Sequence, residues 1–432
     1  MVTKKNVNRC KLLLMFIFMC SVAFAQTQPP TSQQMNDAEQ YSIGKGGQTF
    51  VVIHQGKIIR ESYANGGSAD KVQLLASATK GFTGMIGAIA AYDGIIDLDN
   101  PVSEVLTEWK DDAQKSKITY RHLLTMSSGL EELKDQTAWT DFLNAKVLYP
   151  AGTTFIYGPD PNIFGLALQR KLGSEKVEDY MNRRLFQPLG IRVEWQGRFA
   201  DGNPQLSGGA YVRANEWYKY GEFVRLMLAD KWNGAQIISK QYLEKVVTSS
   251  QVYPAYGFYW WLKEPVPESV GNIVDQLNDN QFTTQIKPII EEALIPDDFI
   301  MCRGAYGQCL YVIPSKELVV VRNAPASVTA LYKDNEFLNL LFKPTATNVF
   351  DIDATDNKLK IFPNPATTEI FIKSDIIDDL HYSIYNINGT SLISDRLSNG
   401  VIAINNLKQG LYLIRLTDAS GNILANKKLI KN

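Results

Sequence analysis

The pattern of hydrophobic and polar positions changes character several times along the chain. Thr49-Phe50-Val51-Val52-Ile53-His54 and Lys57-Ile58-Ile59-Arg60-Glu61-Ser62-Tyr63 flank a Gln55-Gly56 pair, and two short apolar runs around a glycine turn predict a β-hairpin. From Ser77 to Tyr92 the residues are apolar on nearly all faces up to Asp93-Gly94. That predicts a fully buried helix with a glycine cap. Helical stretches are expected at Glu216 to Ala229 and Ser239 to Val247, followed by a polar insertion over about 266–299 and a strand pair at Cys309 to Ile313 and Leu318 to Arg322. Strands at both ends with helices between predict one α/β domain whose sheet is built from its two chain ends.

The two termini read differently. Lys4, Lys5, Arg9 and Lys11 precede an apolar run that ends in Ala23-Phe24-Ala25, which predicts a secretory signal peptide over 1–25 cleaved after Ala25; the run falls short of the roughly 20 residues of a spanning helix. A polar leader is expected over 26–45. Near the other end, Asp351, Asp353, Asp356 and Asn357 mark an acidic linker over 346–358. Residues 359–432 carry short alternating runs, Lys360 to Phe362, Glu369 to Lys373, Tyr382 to Asn386, Leu411 to Leu416 and Lys427 to Ile430, between Gly, Asn and Asp turns. That spacing predicts a small β-sandwich.

Composition narrows the function classes. With 45% hydrophobic and 21% charged residues the chain is globular, and disorder, collagen and coiled coil are excluded. A formal net charge of -1 supplies no global field to attract nucleic acid, which favours a small-molecule partner. Once Cys10 and Cys20 leave with the signal, Cys302 and Cys309 remain. Two cysteines make neither a disulfide framework nor a metal cluster, and they either pair or stay free. His54, His122 and His381 are too scattered for a zinc site, so neither metal nor cofactor is expected.

Chemistry concentrates at Ala76-Ser77-Ala78-Thr79-Lys80, where the buried helix begins. A hydroxyl and an amine one turn apart share a face, the helix dipole favours negative charge there, and a desolvated lysine can act as base. Ser68-Ala69-Asp70-Lys71 has the same spacing but lies in a polar turn. No Gly-x-Ser-x-Gly elbow occurs. A Ser-His-Asp triad would have to draw on His54 or His122.

Ser77-x-x-Lys80, the stretch Asp93-Gly94-Ile95-Ile96-Asp97-Leu98-Asp99-Asn100-Pro101-Val102 and the stretch Ile118 to Leu130 together resemble the class C beta-lactamase family of serine hydrolases, which includes DD-peptidases and carboxylesterases. The likeness runs from about residue 46 to 343. It implies a beta-lactamase/DD-peptidase-like α/β (α+β) domain over 46–345, an antiparallel sheet flanked by helices, with Ser77 as nucleophile and Lys80 as its base. By the same resemblance Tyr157, in Phe155-Ile156-Tyr157-Gly158-Pro159-Asp160-Pro161-Asn162, takes the role of the family's proton-relaying tyrosine. The family's asparagine two residues on is missing: Pro159 stands there, with Asp160 or Asn162 as substitutes. Cys302-Arg303-Gly304 falls where the family has Lys-Thr-Gly, so Arg303 is a candidate positive charge and Gly304 a site of close substrate approach. The resemblance also implies that the backbone amides of Ser77 and Ala305 form the oxyanion hole.

Phe362-Pro363-Asn364-Pro365-Ala366, Tyr385 to Gly389, Gly410 to Leu416 and the final Lys427 to Lys431 resemble the type IX secretion sorting domain of exported Bacteroidota proteins. Its expected fold is a small immunoglobulin-like sandwich and its expected partner the type IX machinery, giving a secreted or surface-attached protein exported through the periplasm. The function expected is hydrolysis of a small ester or amide through an acyl-serine. The alternatives are a beta-lactamase or D-Ala-D-Ala peptidase, or a non-catalytic surface binding protein.

Overall fold

The computed structural model describes residues 27–133, 135–266, 287–289, 291–292, 294–343, 359–374, 380–386, 390–418 and 423–432. The expected signal peptide and linker, and much of the polar insertion, lie outside them. The chain forms two units, Met1–Lys343 and Pro344–Asn432. Among the described residues no helix is long and apolar enough to cross a membrane.

The expected hairpin is β1 (Thr49–His54) and β2 (Lys57–Tyr63). The next three strands, β3 (Val72–Leu74), β4 (Glu194–Trp195) and β5 (Ala210–Arg213), form a small sheet of their own in the order β3-β5-β4. With β6 (Trp261–Leu262), β7 (Ile300–Gly304), β8 (Gln308–Ile313) and β9 (Leu318–Asn323) the hairpin builds a six-stranded antiparallel sheet in the order β2-β1-β9-β8-β7-β6. The first and last parts of the unit therefore meet at the sheet's centre, where β1 pairs with β9 through Val51 and Val321. Every residue of β1, β8 and β9 is buried. Burial along the whole strand suits strands covered on both faces.

Five helices of nine residues or more occur among the described residues: α1 (Ser32–Gly44), α2 (Lys80–Tyr92), α3 (Asp160–Leu172), α4 (Ala214–Leu228) and α5 (Asp334–Phe342). Helices α2 and α4 cover one face of the sheet. A Cβ at Gly221 of α4 would lie 2.7 Å from Val319 and 2.9 Å from Leu310, so a larger residue there would push the helix off the strands. On the other face α1 packs with α5, and Phe337 meets Phe50 edge-on and stacks on Tyr311.

Helix α1 corrects the expectation of a polar leader over 26–45. Thr31 closes a capping box with Gln34, and Met35 and Ala38 enter the core. Only a narrow stripe of the helix is apolar, so its sequence reads as solvent-facing until the sheet it covers is known.

Among its described residues the second unit has seven strands: β10 (Leu359–Phe362), β11 (Glu369–Ser374), β12 (His381–Asn386), β13 (Ser391–Arg396), β14 (Val401–Ala403), β15 (Gly410–Thr417) and β16 (Ile423–Lys431). They form two antiparallel sheets, β10-β11-β14 and β13-β12-β15-β16, over a core that includes Ile370, Ile384, Ile402, Ile414 and Leu429. Strands β13 and β14 were not expected from the sequence. No residue of β13 is fully buried, so it lacks the alternation by which a strand is recognised.

Candidate active site

The turn before α2 sets the geometry. Residues Ala76–Thr79 form a 3₁₀ turn that runs into Lys80. Ala76 has φ of 45°, a left-handed conformation that costs an alanine on the order of 1 kcal/mol and presents Ser77 half-buried at the surface of the turn. One turn on, Lys80 is 4% exposed, and its Nζ donates to Ser77 Oγ at 2.9 Å and to the Ser207 carbonyl at 2.7 Å. Burial pushes the lysine down to about 7, with the exposed carboxylate of Glu132 pulling the other way. A neutral amine is thus accessible near neutral pH, in contact with a hydroxyl it can deprotonate.

The segment that braces this turn carries no side-chain motif in the sequence. Thr83 Oγ1 donates to the Leu206 carbonyl, the Ala210 amide donates to Thr79 Oγ1, and the Leu75 amide donates to the Ala210 carbonyl. Together with the bond from Lys80 to Ser207, these fasten the Ser77 turn to residues 206–210. The available cue was the pair Gly208-Gly209 just before a strand. A Cβ at Gly209 would come within 2.4 Å of the Gly197 carbonyl oxygen.

Tyr157 completes the cluster. Its hydroxyl hydrogen-bonds with Ser77, and Lys80 Nζ sits 4.6 Å from its ring centre. Burial pushes the phenol up to about 12, against the Ser77 hydrogen bond and the Arg303 charge. Its ring stacks on Trp261 of β6. The stretch Ile118 to Leu130 holds this loop in place: the Ile156 amide donates to the Met126 carbonyl, Gly152 to the Ser127 carbonyl, and Ser128 Oγ to Asp160. Gly129, at φ 78°, lies where a Cβ would be 1.9 Å from the Tyr149 carbonyl oxygen. Arg121 in turn makes a bidentate bond to Asp99. These sequence blocks therefore act as a clip that fixes the Tyr157 loop.

The other wall is the end of β7. A Cβ at Gly304 would lie 2.1 Å from the Leu75 carbonyl oxygen and 3.1 Å from the Ser77 amide. Glycine is what lets this strand reach the Ser77 turn, so the close approach seen here is to the protein's own backbone. Ala305 and Tyr306 beyond it are exposed.

The expected recognition side chains turn elsewhere. Arg303 donates to Asp334 at 2.7 Å on the sheet face opposite α2. Asp334 also accepts from Tyr311 and Cys309, and despite the cost of burial the Arg303 charge holds it below the usual carboxylate range. Asp160 is buried beneath Ser128, and desolvation raises it to about 8. Asn162 Nδ2 donates to Ser207 Oγ, which places it behind the lysine's carbonyl partner. Cys302 and Cys309 are free, and pairing is ruled out by register: Cys309 lies opposite Arg303, while the Cys302 sulfur faces Gly81 of α2 across the sheet. In the Ser68–Lys71 pair, Lys71 Nζ donates to the Gly66 carbonyl at 3.1 Å. His122 Nδ1 accepts from the Thr119 amide and His54 Nε2 lies 3.4 Å from Thr27, so both act as braces away from Ser77. No cluster of three metal-ligating side chains occurs among the described residues.

Both units have matches among known protein families. Residues 35–222 match the Beta-lactamase family model, and residues 360–432 match the model of a secretion system C-terminal sorting domain. The chain is 27% identical over 177 residues to the acyltransferase calJ of Penicillium decumbens, covering 33% of this chain and 42% of that protein. It is 26% identical over 181 residues to a lovastatin esterase of Penicillium rubens, covering 32% and 45%. The matches thus span less than half of either relative. Among solved structures, a penicillin-binding protein homologue from Caulobacter crescentus superposes with a TM-score of 0.53 at 16% identity, covering 73% of this chain and 97% of that one. EstCE1, a hydrolase with promiscuous acyltransferase activity, gives 0.53 at 16% identity, covering 72% and 97%. At these identities the structures share the fold.

Proposed function

From a chain that joins a beta-lactamase-family domain to a secretion sorting domain, we propose an exported serine hydrolase that acylates Ser77 and acts on small esters or amides carrying no carboxylate. The observation that carries this is the 2.9 Å contact between a buried, proton-poor Lys80 and the Ser77 hydroxyl. Lys80 takes the Ser77 proton as the oxygen attacks the substrate carbonyl. The Ser77 and Ala305 amides hold the resulting oxyanion. Tyr157 passes a proton to the leaving group, and water then releases the acyl group by the reverse route.

The choice of substrate class rests on the recognition wall. Pro159 offers no amide side chain, position 302 is a cysteine, and Arg303 is paired with Asp334. The carboxylate of Glu132 acts on both Lys80 and Tyr157, where it works against the Arg303 charge, and it opposes an anionic substrate. The similar proteins include an acyltransferase and an esterase, and either chemistry begins with the same acyl-enzyme. Residues 359–432 serve as the type IX sorting signal, a small sandwich read as immunoglobulin-like that directs the protein outward after passage through the periplasm.

Labelling tests the reading. A fluorophosphonate should label the protein and Ser77→Ala should abolish it, while a fluorescent penicillin labels weakly. Strong penicillin labelling at Ser77 would favour the lactamase or peptidase alternative, and no labelling by either probe would favour a binding protein.

A further inference from the structure

Arg322 of β9 is 0% exposed, and the chemistry above gives it no part. Its guanidinium joins three separated stretches of chain. Nη1 donates to the carbonyls of Tyr306 at 3.1 Å and Gly307 at 2.7 Å, Nη2 to the Lys45 carbonyl at 3.0 Å, and Nε to Ser42 Oγ at 3.1 Å. The plane lies over the Tyr332 ring at 3.8 Å. A cation in this position is solvated by protein carbonyls and an aromatic face, an arrangement that suits the rigid fork of arginine better than a lysine ammonium.

Two of those carbonyls belong to the turn that follows Gly304. Residues Ala305–Gly307 make a single 3₁₀ turn in which Tyr306 has φ of 66°, a strained conformation for a tyrosine that needs outside support. The turn's carbonyls all have donors: Ala305 accepts from its capping amide, and Tyr306 and Gly307 accept from Arg322. Gly307, at φ 74°, makes room for this, since a Cβ there would lie 2.2 Å from Arg322 Nη1.

We propose that Arg322 is a positioning residue for the oxyanion hole: by gripping the carbonyls of Tyr306 and Gly307 it fixes the turn whose first amide, that of Ala305, faces the reacting carbonyl. The inference rests on the reading of Ala305 as an oxyanion donor. The same guanidinium also bonds Ser42 Oγ and the Lys45 carbonyl, contacts that do not touch the turn.

The test compares Arg322→Met, Arg322→Lys and Ser42→Ala by hydrolysis of a p-nitrophenyl ester, by inhibition with a phenylboronic acid, which mimics the tetrahedral adduct, and by thermal melting. Removing an oxyanion donor outright costs on the order of 10²- to 10³-fold, and a misplaced one should cost roughly 10- to 100-fold. Arg322→Met should therefore lower kcat by that factor, raise the boronate inhibition constant in step, and leave KM within about threefold of the parent. Arg322→Lys should fall between, and Ser42→Ala, which spares the turn, should keep kcat. Should Arg322→Met not fold, Arg322→Lys carries the comparison. A kcat within about twofold of the parent in folded Arg322→Lys, or a loss that appears in KM and melting temperature but leaves the boronate constant unmoved, would overturn the proposal. Ser77→Ala run alongside separates the levels: activity surviving there refutes the nucleophile itself, whereas a dead Ser77→Ala with normal Arg322 variants refutes only the positioning role.

Discussion

The two sides of the Ser77 cluster keep different things. On the α2 side stand the side chains proposed to carry the chemistry: Ser77, Lys80 and Tyr157 contact one another, and segment 206–210 and the Met126–Gly129 turn lock them from behind. On the β7 side the backbone stays close to the nucleophile turn at Gly304, but the side chains are spent elsewhere, Arg303 on Asp334 and Cys302 against Gly81. Oxyanion stabilisation needs only amides in place, whereas grip on a substrate carboxylate needs a cationic side chain pointing inward. A strand can therefore lose the second function and retain the first.

Four substitutions press on this contrast. The largest effect is expected for Ser77→Ala, which should cut ester hydrolysis by roughly four orders of magnitude or more, read by initial rates. Lys80→Met should cost roughly 10²- to 10⁴-fold. In the parent, kcat/KM should climb as pH rises through about 7, where Lys80 loses its proton, and this limb should vanish in the variant. Because burial holds Lys80 below its unfolded-state value, folding is penalised at every pH under about 10.5, most of all below about 7. Melting curves should accordingly show Lys80→Met raising the melting temperature more at pH 6 than at pH 9.

On the β7 wall, Arg303→Met should unfold the protein more easily by about 3–5 kcal/mol in denaturant titration, since it strands the buried Asp334 carboxylate. The ratio of KM for a carboxylate-bearing ester to KM for a neutral one should not move; a rise would show that Arg303 contacts substrate after all. The smallest effect belongs to Asp160→Asn. Its folded-state value near 8 lies far above the unfolded one, so the native state holds the extra proton and stability falls as pH rises from about 4 to about 8. The amide should flatten that slope and leave activity at pH 6 unchanged.

Much of this was legible from the chain, and the rest was hidden for identifiable reasons. The hairpin, the buried helix and the strands from Cys309 onward announce themselves through apolar periodicity, and Ser77 and Lys80 through spacing on a helix that could bury an amine. Helix α1 was hidden because its buried stripe is narrow. Residues 206–210 act through backbone carbonyls and amides, which carry no side-chain signature. The fates of Arg303, Asp160 and Asn162 depend on which face of a strand or helix turn they occupy and on partners 31, 32 and 45 residues away in sequence. A motif position alone does not supply that information.

The central claim is a covalent one, so the most direct measurement is mass spectrometry of the full-length protein quenched in acid during turnover of a slow p-nitrophenyl ester. The account predicts a mass increase equal to the acyl group, mapped by proteolysis to the peptide containing Ser77 and missing from Ser77→Ala. Turnover without an adduct at Ser77, or an adduct on another residue whose removal stops the reaction, would contradict it.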